Sequence, residues 1–116
     1  MDDKEFKSWM IATLRRASYR WPPRYTTMKD ARVERGRYKC KVCDSIVGRK
    51  EIRIDHIEPV VDPKIGFKTW DLYIERMFCS KDNFQALCLK CHKVKTSLER
   101  KERFEKRAKD KKKGKK

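Results

Sequence analysis

The chain holds two histidines, and both fall inside one arrangement of metal-ligand residue types. Asp55-His56-Ile57 lies between two Cys-x-x-Cys pairs, Cys40/Cys43 and Cys88/Cys91, and the second pair runs directly into His92. Asn83 lies between the histidines. A two-residue spacing lets the backbone turn back so that both sulfurs point at one place, and two such turns are the usual way to give zinc four thiolates. The 44 residues between Cys43 and Cys88 exceed what a simple zinc ribbon holds. A module is therefore inserted there, and it carries Asp55-His56. The residue types separate into two metal tasks: Cys40, Cys43, Cys88 and Cys91 for a structural Zn2+, and Asp55, His56 and His92 for a second, catalytic ion. A redox Cys-x-x-Cys would want a thioredoxin-like βαβ context, which is not visible. Cys79 is left over and reads as a small buried residue.

Composition narrows the class. At 116 residues, 38% hydrophobic and 43% charged, the chain supports one small domain with appendages and needs a staple beyond its apolar core. The formal net charge of +16 calls for a polyanionic partner, nucleic acid before an anionic membrane. There is no run of 18 apolar residues to span a bilayer. The acidic start Met1-Asp2-Asp3-Lys4-Glu5 leads into no apolar signal core, so a cytoplasmic location is expected. In that reducing setting paired cysteines read as metal ligands.

The elements that must position these groups follow from periodicity. Phe6, Trp9, Met10, Thr13, Leu14 and Ala17 make one face of a helix over 3–18, capped by Asp2 or Asp3, with Trp9 and Met10 as core and Lys4, Lys7, Arg15 and Arg16 opposite. Pro22-Pro23 ends that unit. A short helix over 27–35 follows, stopped by Gly36. Arginines 15, 16, 20, 24, 32, 35 and 37, interleaved with Tyr19, Trp21 and Tyr25, suit phosphate contact and base stacking. Residues 37–44 read as a strand and knuckle. Ile52 to Ile57 alternates as a strand closed by Pro59, residues 60–69 as a loop, and Trp70–Phe78 as a helix. From about Leu87 a helix carries Cys88, Cys91 and His92. The segment from Lys93 to Lys116 holds 13 Lys/Arg against 4 Asp/Glu, and beyond Lys109 it has nothing to bury and is expected to be disordered.

An Asp directly before a His on a strand puts one side chain on each face. Either can face a metal while the other turns toward a substrate. Cys40-Lys-Val-Cys43, Ile54-Asp55-His56-Ile57-Glu58-Pro59, Asp82-Asn83-Phe84-Gln85-Ala86-Leu87-Cys88 and Cys91-His92-Lys-Val-Lys95-Thr96 together resemble the HNH endonuclease family, over roughly residues 38–97. The N-terminal Trp9, Arg15-Arg16, Arg20-Trp-Pro-Pro-Arg24 and Ala31-Arg32 are similar to small phage-encoded members. The resemblance implies a small α+β fold: a ββα-metal (His-Me) finger stapled by a four-cysteine zinc site, with an N-terminal helical segment and a basic C-terminal helix and tail. It divides the chain into 1–36, helical and Arg/aromatic-rich; 37–98, the nuclease domain with its zinc knuckles; and 99–116, a basic helical extension and tail.

Carried over by position, the resemblance makes His56 the general base. Asp55 and His92 become ligands of a catalytic Mg2+ or Mn2+, and Asn83 holds the His56 segment by hydrogen bonding. The long interval from Pro59 to Asp82 departs from the compact family pattern and enlarges the loop over the site. The expected activity is metal-dependent hydrolysis of DNA with weak sequence preference. Lys93, Lys95, Arg100, Lys101 and Arg103, with Arg20 and Arg24, are the expected backbone contacts. Phage genome-processing or packaging partners in a bacterial host cytoplasm are implied by the resemblance alone. The rival readings are a non-catalytic, zinc-stapled nucleic-acid-binding accessory protein, an RNA-directed nuclease and, more distantly, a thiol redox enzyme.

Overall fold

The computed structural model describes residues 2–114, with side chains to Lys111, and has a small α+β architecture. Helix α1 spans Asp3–Ser18 and begins where expected, with Asp2 Oδ1 accepting from the Glu5 N–H at 2.8 Å. Its buried face is rotated from the expected one. Lys7, Met10, Ile11, Leu14 and Ser18 turn inward, while Phe6 and Trp9 stay 46% and 52% exposed. Trp9 is therefore not core. The buried Ser18 hydroxyl donates back to the Arg15 carbonyl at 2.6 Å, which satisfies it without a partner from outside the helix.

Helix α2 spans Pro22–Ala31, not 27–35. The two prolines that were expected to end a unit instead open this one. In the first helical turn the missing N–H costs nothing and the fixed φ suits the helix. Trp21, at its N-cap, anchors the junction: its indole donates to the Cys79 carbonyl at 2.6 Å and its ring meets Phe78 edge-on at 5.6 Å. The chain then turns through β1 (Arg32–Glu34) and β2 (Arg37–Lys39), so Val33 is on a strand and not in a helix. Gly36, expected as a helix stop, sits at φ +75° in the tight turn between these strands. With β3 (Ile46–Gly48) they make an antiparallel sheet in the order β1-β2-β3.

The second sheet is a two-stranded antiparallel pair, β4 (Ile52–His56) with β5 (Phe84–Cys88), in the register Ile52↔Cys88, Asp55↔Gln85 and His56↔Phe84. Strand β5 takes Cys88, which was expected on the following helix. Between these strands lies α3 (Trp70–Met77), capped by Thr69 Oγ1 accepting from the Leu72 N–H at 3.2 Å. Its Trp70 and Tyr73 cluster with Phe67, ring centroids 4.9–5.8 Å apart. After β5 comes α4, Leu89–Gly114, packed against both β4 and β5. It continues through residues 110–114, where disorder was expected; the same expectation for Lys115 and Lys116 lies outside the described residues. Lys106–Asp110, at 2.7 Å and one helical turn apart, supports that extension. Strand pairing joins residues on both sides of position 36, and α4 runs unbroken across position 98.

The core is small: Ile52 and Cys40 are fully buried, Leu87 and Cys88 nearly so, with Tyr73, Met77, Phe84 and Ala86 around them. Ile52 is the largest aliphatic side chain completely removed from solvent. Ile52→Ala is expected to lower unfolding free energy by about 2–5 kcal/mol, measured by urea titration of the zinc-loaded protein. A loss under about 1 kcal/mol would show that the β4–β5 pair is not the centre of the fold.

Candidate functional site

The four paired cysteines converge. Their Sγ atoms all lie within 4.8 Å of one another, and Cys43 Sγ is 3.7 Å from Cys88 Sγ. Four sulfurs at about 2.3 Å from a tetrahedral ion sit about 3.8 Å apart, so this cluster could hold a metal such as zinc. Local hydrogen bonds make it. In the first knuckle the Asp44 N–H donates to the Cys40 carbonyl at 3.1 Å, and Asp44 takes φ +62° to close the turn. The Lys41 N–H donates to the Ala86 carbonyl at 2.8 Å, hanging this knuckle on β5 beside Cys88. The second knuckle starts at the end of β5 and finishes in the first turn of α4, with the Cys91 N–H toward Cys88 Sγ at 3.5 Å. The Ser45 hydroxyl holds the Cys43 thiol pKa down to about 6, whereas the neighbouring Cys88 sulfur pushes that of Cys91 up to about 12. Four thiols this close ionise together only around a cation, which matches the donor set. Cys79 is half-buried, away from this cluster, and burial raises its thiol pKa.

The second constellation is built by Asp55, three residues along β4 from the Ile52–Cys88 pair, and His92, which directly follows Cys91 on α4. Asp55 Oδ1, on β4, lies 3.9 Å from His92 Nε2, on the first turn of α4. Two donors each about 2.1 Å from one cation span at most about 4.2 Å, so both fit a single ion. Asp55 Oδ2 is buried without a hydrogen bond of good geometry; its charged neighbour is Lys95 Nζ, at 2.9 Å. A carboxylate oxygen, Asp55 Oδ1, and an imidazole nitrogen at that separation are a donor pair that one divalent cation can use.

His56 points to the other face of β4, where its ring is 9% exposed and stacks at 4.7 Å, tilted, on Phe84. Nε2 lies 3.0 Å from the Met77 carbonyl, which only accepts, so Nε2 carries the proton and Nδ1 is left as the acceptor. Burial pushes the imidazole pKa below its usual 6.5, and the Arg24 and Lys95 charges add to this against the Met77 and Asp55 contributions. Asn83 clamps the chain just beyond. Its Oδ1 accepts from the Glu58 N–H at 2.9 Å, its Nδ2 donates to the Glu58 carbonyl at 3.3 Å, and its own carbonyl accepts from the Ile57 N–H at 2.8 Å.

Asp55, His56 and His92 all line one cleft of about 670 Å3. Its walls are β4, α4 as far as Arg103, the loop around Pro59–Phe67, and the inward stripe of α1. Lys7, Arg15, Arg24, Arg53 and Arg103 rim it. Of the expected backbone contacts, Lys93, Arg100, Lys101 and Arg20 are exposed away from the cleft, and Arg103 is at its edge. Arg24 is half-buried: it donates to the Ile54 carbonyl at 3.3 Å, its guanidinium lies 5.2 Å from the Phe84 ring, and burial lowers its pKa. Lys95 is turned inward, to Asp55, Glu99 and the His56 carbonyl, rather than outward. Sequence reasoning missed Lys7, Arg15, Arg53 and Glu99 as cleft residues. The spacing of Lys7, Ile11, Arg15 and Ser18 on one helical stripe was the available signal, masked by the more apolar stripe beside it. Among the described residues, no helix is long and apolar enough to cross a membrane.

Purified protein is expected to carry about one zinc per chain by elemental analysis. Cys88→Ser, or exhaustive chelation, is expected to lose the metal and abolish cooperative melting. Full zinc content with unchanged melting in Cys88→Ser would remove the cluster's structural role.

Comparison of the chain with protein families, with curated proteins and with solved structures gives no match in any of the three.

Proposed function

We propose that this protein is a metal-dependent endonuclease of the HNH type, built on a ββα-metal finger, that hydrolyses phosphodiester bonds in DNA. One observation carries the reading. A carboxylate and an imidazole at cation-sharing distance open into the same basic-rimmed cleft as a second, buried imidazole whose free nitrogen is assigned. The order β4, β5, α4, with the metal-ligand types on the first strand and the helix, supports the finger assignment. The net charge of +16 supports a polyanionic substrate.

Hydrolysis needs a deprotonated water, a shielded phosphate and a stabilised leaving oxygen. His56 Nδ1 accepts the proton of the attacking water, and the bond from Nε2–H to the Met77 carbonyl keeps the ring in the tautomer that allows this. Its lowered pKa keeps it neutral, and so able to act, at neutral pH. Asp55 and His92 would hold a Mg2+, Mn2+ or related cation, which when bound supplies charge neutralisation for the phosphate and its leaving oxygen. Asn83, through its two bonds to the Glu58 backbone, keeps the end of β4 and so the His56 ring at a fixed height in the cleft. Arg15, Arg53 and Arg103 lie where flanking phosphates would pass.

A non-catalytic nucleic-acid-binding module is the second reading, favoured by the charge and the four-cysteine cluster together. It has no use for a buried imidazole, His56, that opens into the same cleft as the Asp55–His92 donor pair.

Supercoiled plasmid incubated with zinc-loaded protein and Mg2+ or Mn2+ is expected to be nicked, and EDTA to stop it. His56→Ala is expected to lower the rate by about 100-fold or more while leaving zinc content intact. Undiminished cleavage in that variant would eliminate the proposed base. Because the folded His56 pKa lies below 6.5, the acid limb of the rate should be centred below that value. An acid limb centred above pH 6.5 would assign the base elsewhere. A parallel digestion of RNA decides the nucleic-acid class.

A further inference from the structure

Lys95 has no task in the mechanism above, yet its ammonium is the most heavily engaged charged group in the cleft. It donates to the His56 carbonyl at 2.9 Å and to Glu99 Oε1 one helical turn on, and it lies 2.9 Å from Asp55 Oδ2. It is 23% exposed, and its anionic neighbours Asp55 and Glu99 are 19% and 27% exposed. Three oxygens crowd this ammonium, two as hydrogen-bond acceptors and Asp55 Oδ2 as an ion-pair partner, so it is turned inward and not toward a nucleic-acid phosphate.

The two oxygens of Asp55 are treated differently by this arrangement. Oδ2 faces the ammonium, while Oδ1 faces His92 Nε2 at 3.9 Å. We propose that Lys95 is a positioning residue: a built-in cation that occupies Oδ2, restricts Asp55 to one-oxygen ligation through Oδ1, and through the His56 carbonyl ties that ligand to the end of β4. Glu99 holds Lys95 from the far side and is not itself a metal ligand. The inference rests on the nuclease reading above.

Two consequences are specific. With the ammonium in place, the cation meets one free carboxylate oxygen and a nearby positive charge, so the site binds metal less tightly than its acidic content would allow. Without it, both oxygens of Asp55 are released and the repulsion is gone. Binding then tightens while the geometry that orients the phosphate is lost. A purely structural lysine would weaken both together.

The test is Mn2+ binding by calorimetry on zinc-loaded wild type and Lys95→Met, with plasmid nicking at saturating Mn2+. Lys95→Met is expected to bind Mn2+ about tenfold or more tightly, and to nick about tenfold or more slowly once saturated. If Lys95→Met does not fold, as judged by melting and zinc content, the charge-matched pair Lys95→Met with Glu99→Gln replaces it. That pair is expected to bind Mn2+ more tightly than wild type, by less than tenfold because a nearby negative charge is also removed, and still to nick about tenfold more slowly. Unchanged or weaker Mn2+ binding in foldable Lys95→Met, or wild-type nicking in the pair, overturns the proposal. Wild type that neither binds Mn2+ nor nicks overturns the nuclease reading and this inference with it. Wild type that does both, beside an unaltered Lys95→Met, overturns the inference alone.

Discussion

The first knuckle is hung on the small sheet by one backbone hydrogen bond, which sets its sulfurs beside those of the second. The Lys41 N–H reaches the Ala86 carbonyl, so the knuckle at Cys40–Cys43 lies against the end of β5. Cys40 and Cys88 then join Leu87 in one buried cluster, with Val47 and Cys91 packed on it. Beyond it the apolar contacts are those of Ile52, Phe84, Tyr73 and Met77 and of the aromatic rings around Phe67. Most large hydrophobic side chains of α1 and α4 remain partly in water. A chain with so little core gains its uniqueness from directional bonds, and thiolate coordination is the strongest kind these residues can make.

From that anchor the register of the small sheet transmits position to the chemistry. Ile52 pairs with Cys88, and three residues further Asp55 pairs with Gln85. At about 3.3 Å per residue the carboxylate is then about 10 Å along β4 from the sulfur end. On the other side His92 follows Cys91 directly at the start of α4. A strand and a helix leaving the same cluster bring Asp55 and His92 back within 3.9 Å of each other. A slip of one residue in β4 would exchange Asp55 and His56 between faces and destroy both arrangements at once.

What the sequence revealed and what it hid have physical causes. The Cys-x-x-Cys pairs were legible because ligand spacing is a local property, and α1, β4 and α3 were legible because each keeps a clear period. Strand β5 was not, because Phe84, Ala86, Leu87 and Cys88 are all buried and a strand covered on both faces shows no alternation. The start of α2 was misplaced because proline ends one helix and begins another with equal ease, and only the tertiary contact of Trp21 with Cys79 and Phe78 decides between them. The inward face of α1 was misplaced because Lys7 covers the Phe67 ring at 4.0 Å, burying a charged residue's stem where periodicity sought an aromatic. Lys95 was read as an outward charge for the same reason: composition cannot show that three oxygens wait for it on the inside.

Helix α4 is one continuous rod of 26 residues whose base lies in the sulfur cluster, which lines the cleft as far as Arg103 and whose outer turns are exposed, in a molecule 57 Å long. Mechanically it is a lever with its fulcrum at Cys91. His92 is one residue from that fulcrum, about 1.5 Å along the axis, while the outer turns are some 30 Å away. A sideways swing that carries the tip several ångströms therefore displaces the imidazole by only a small fraction of one. Motion of the outermost turns is thereby kept from the imidazole at the root.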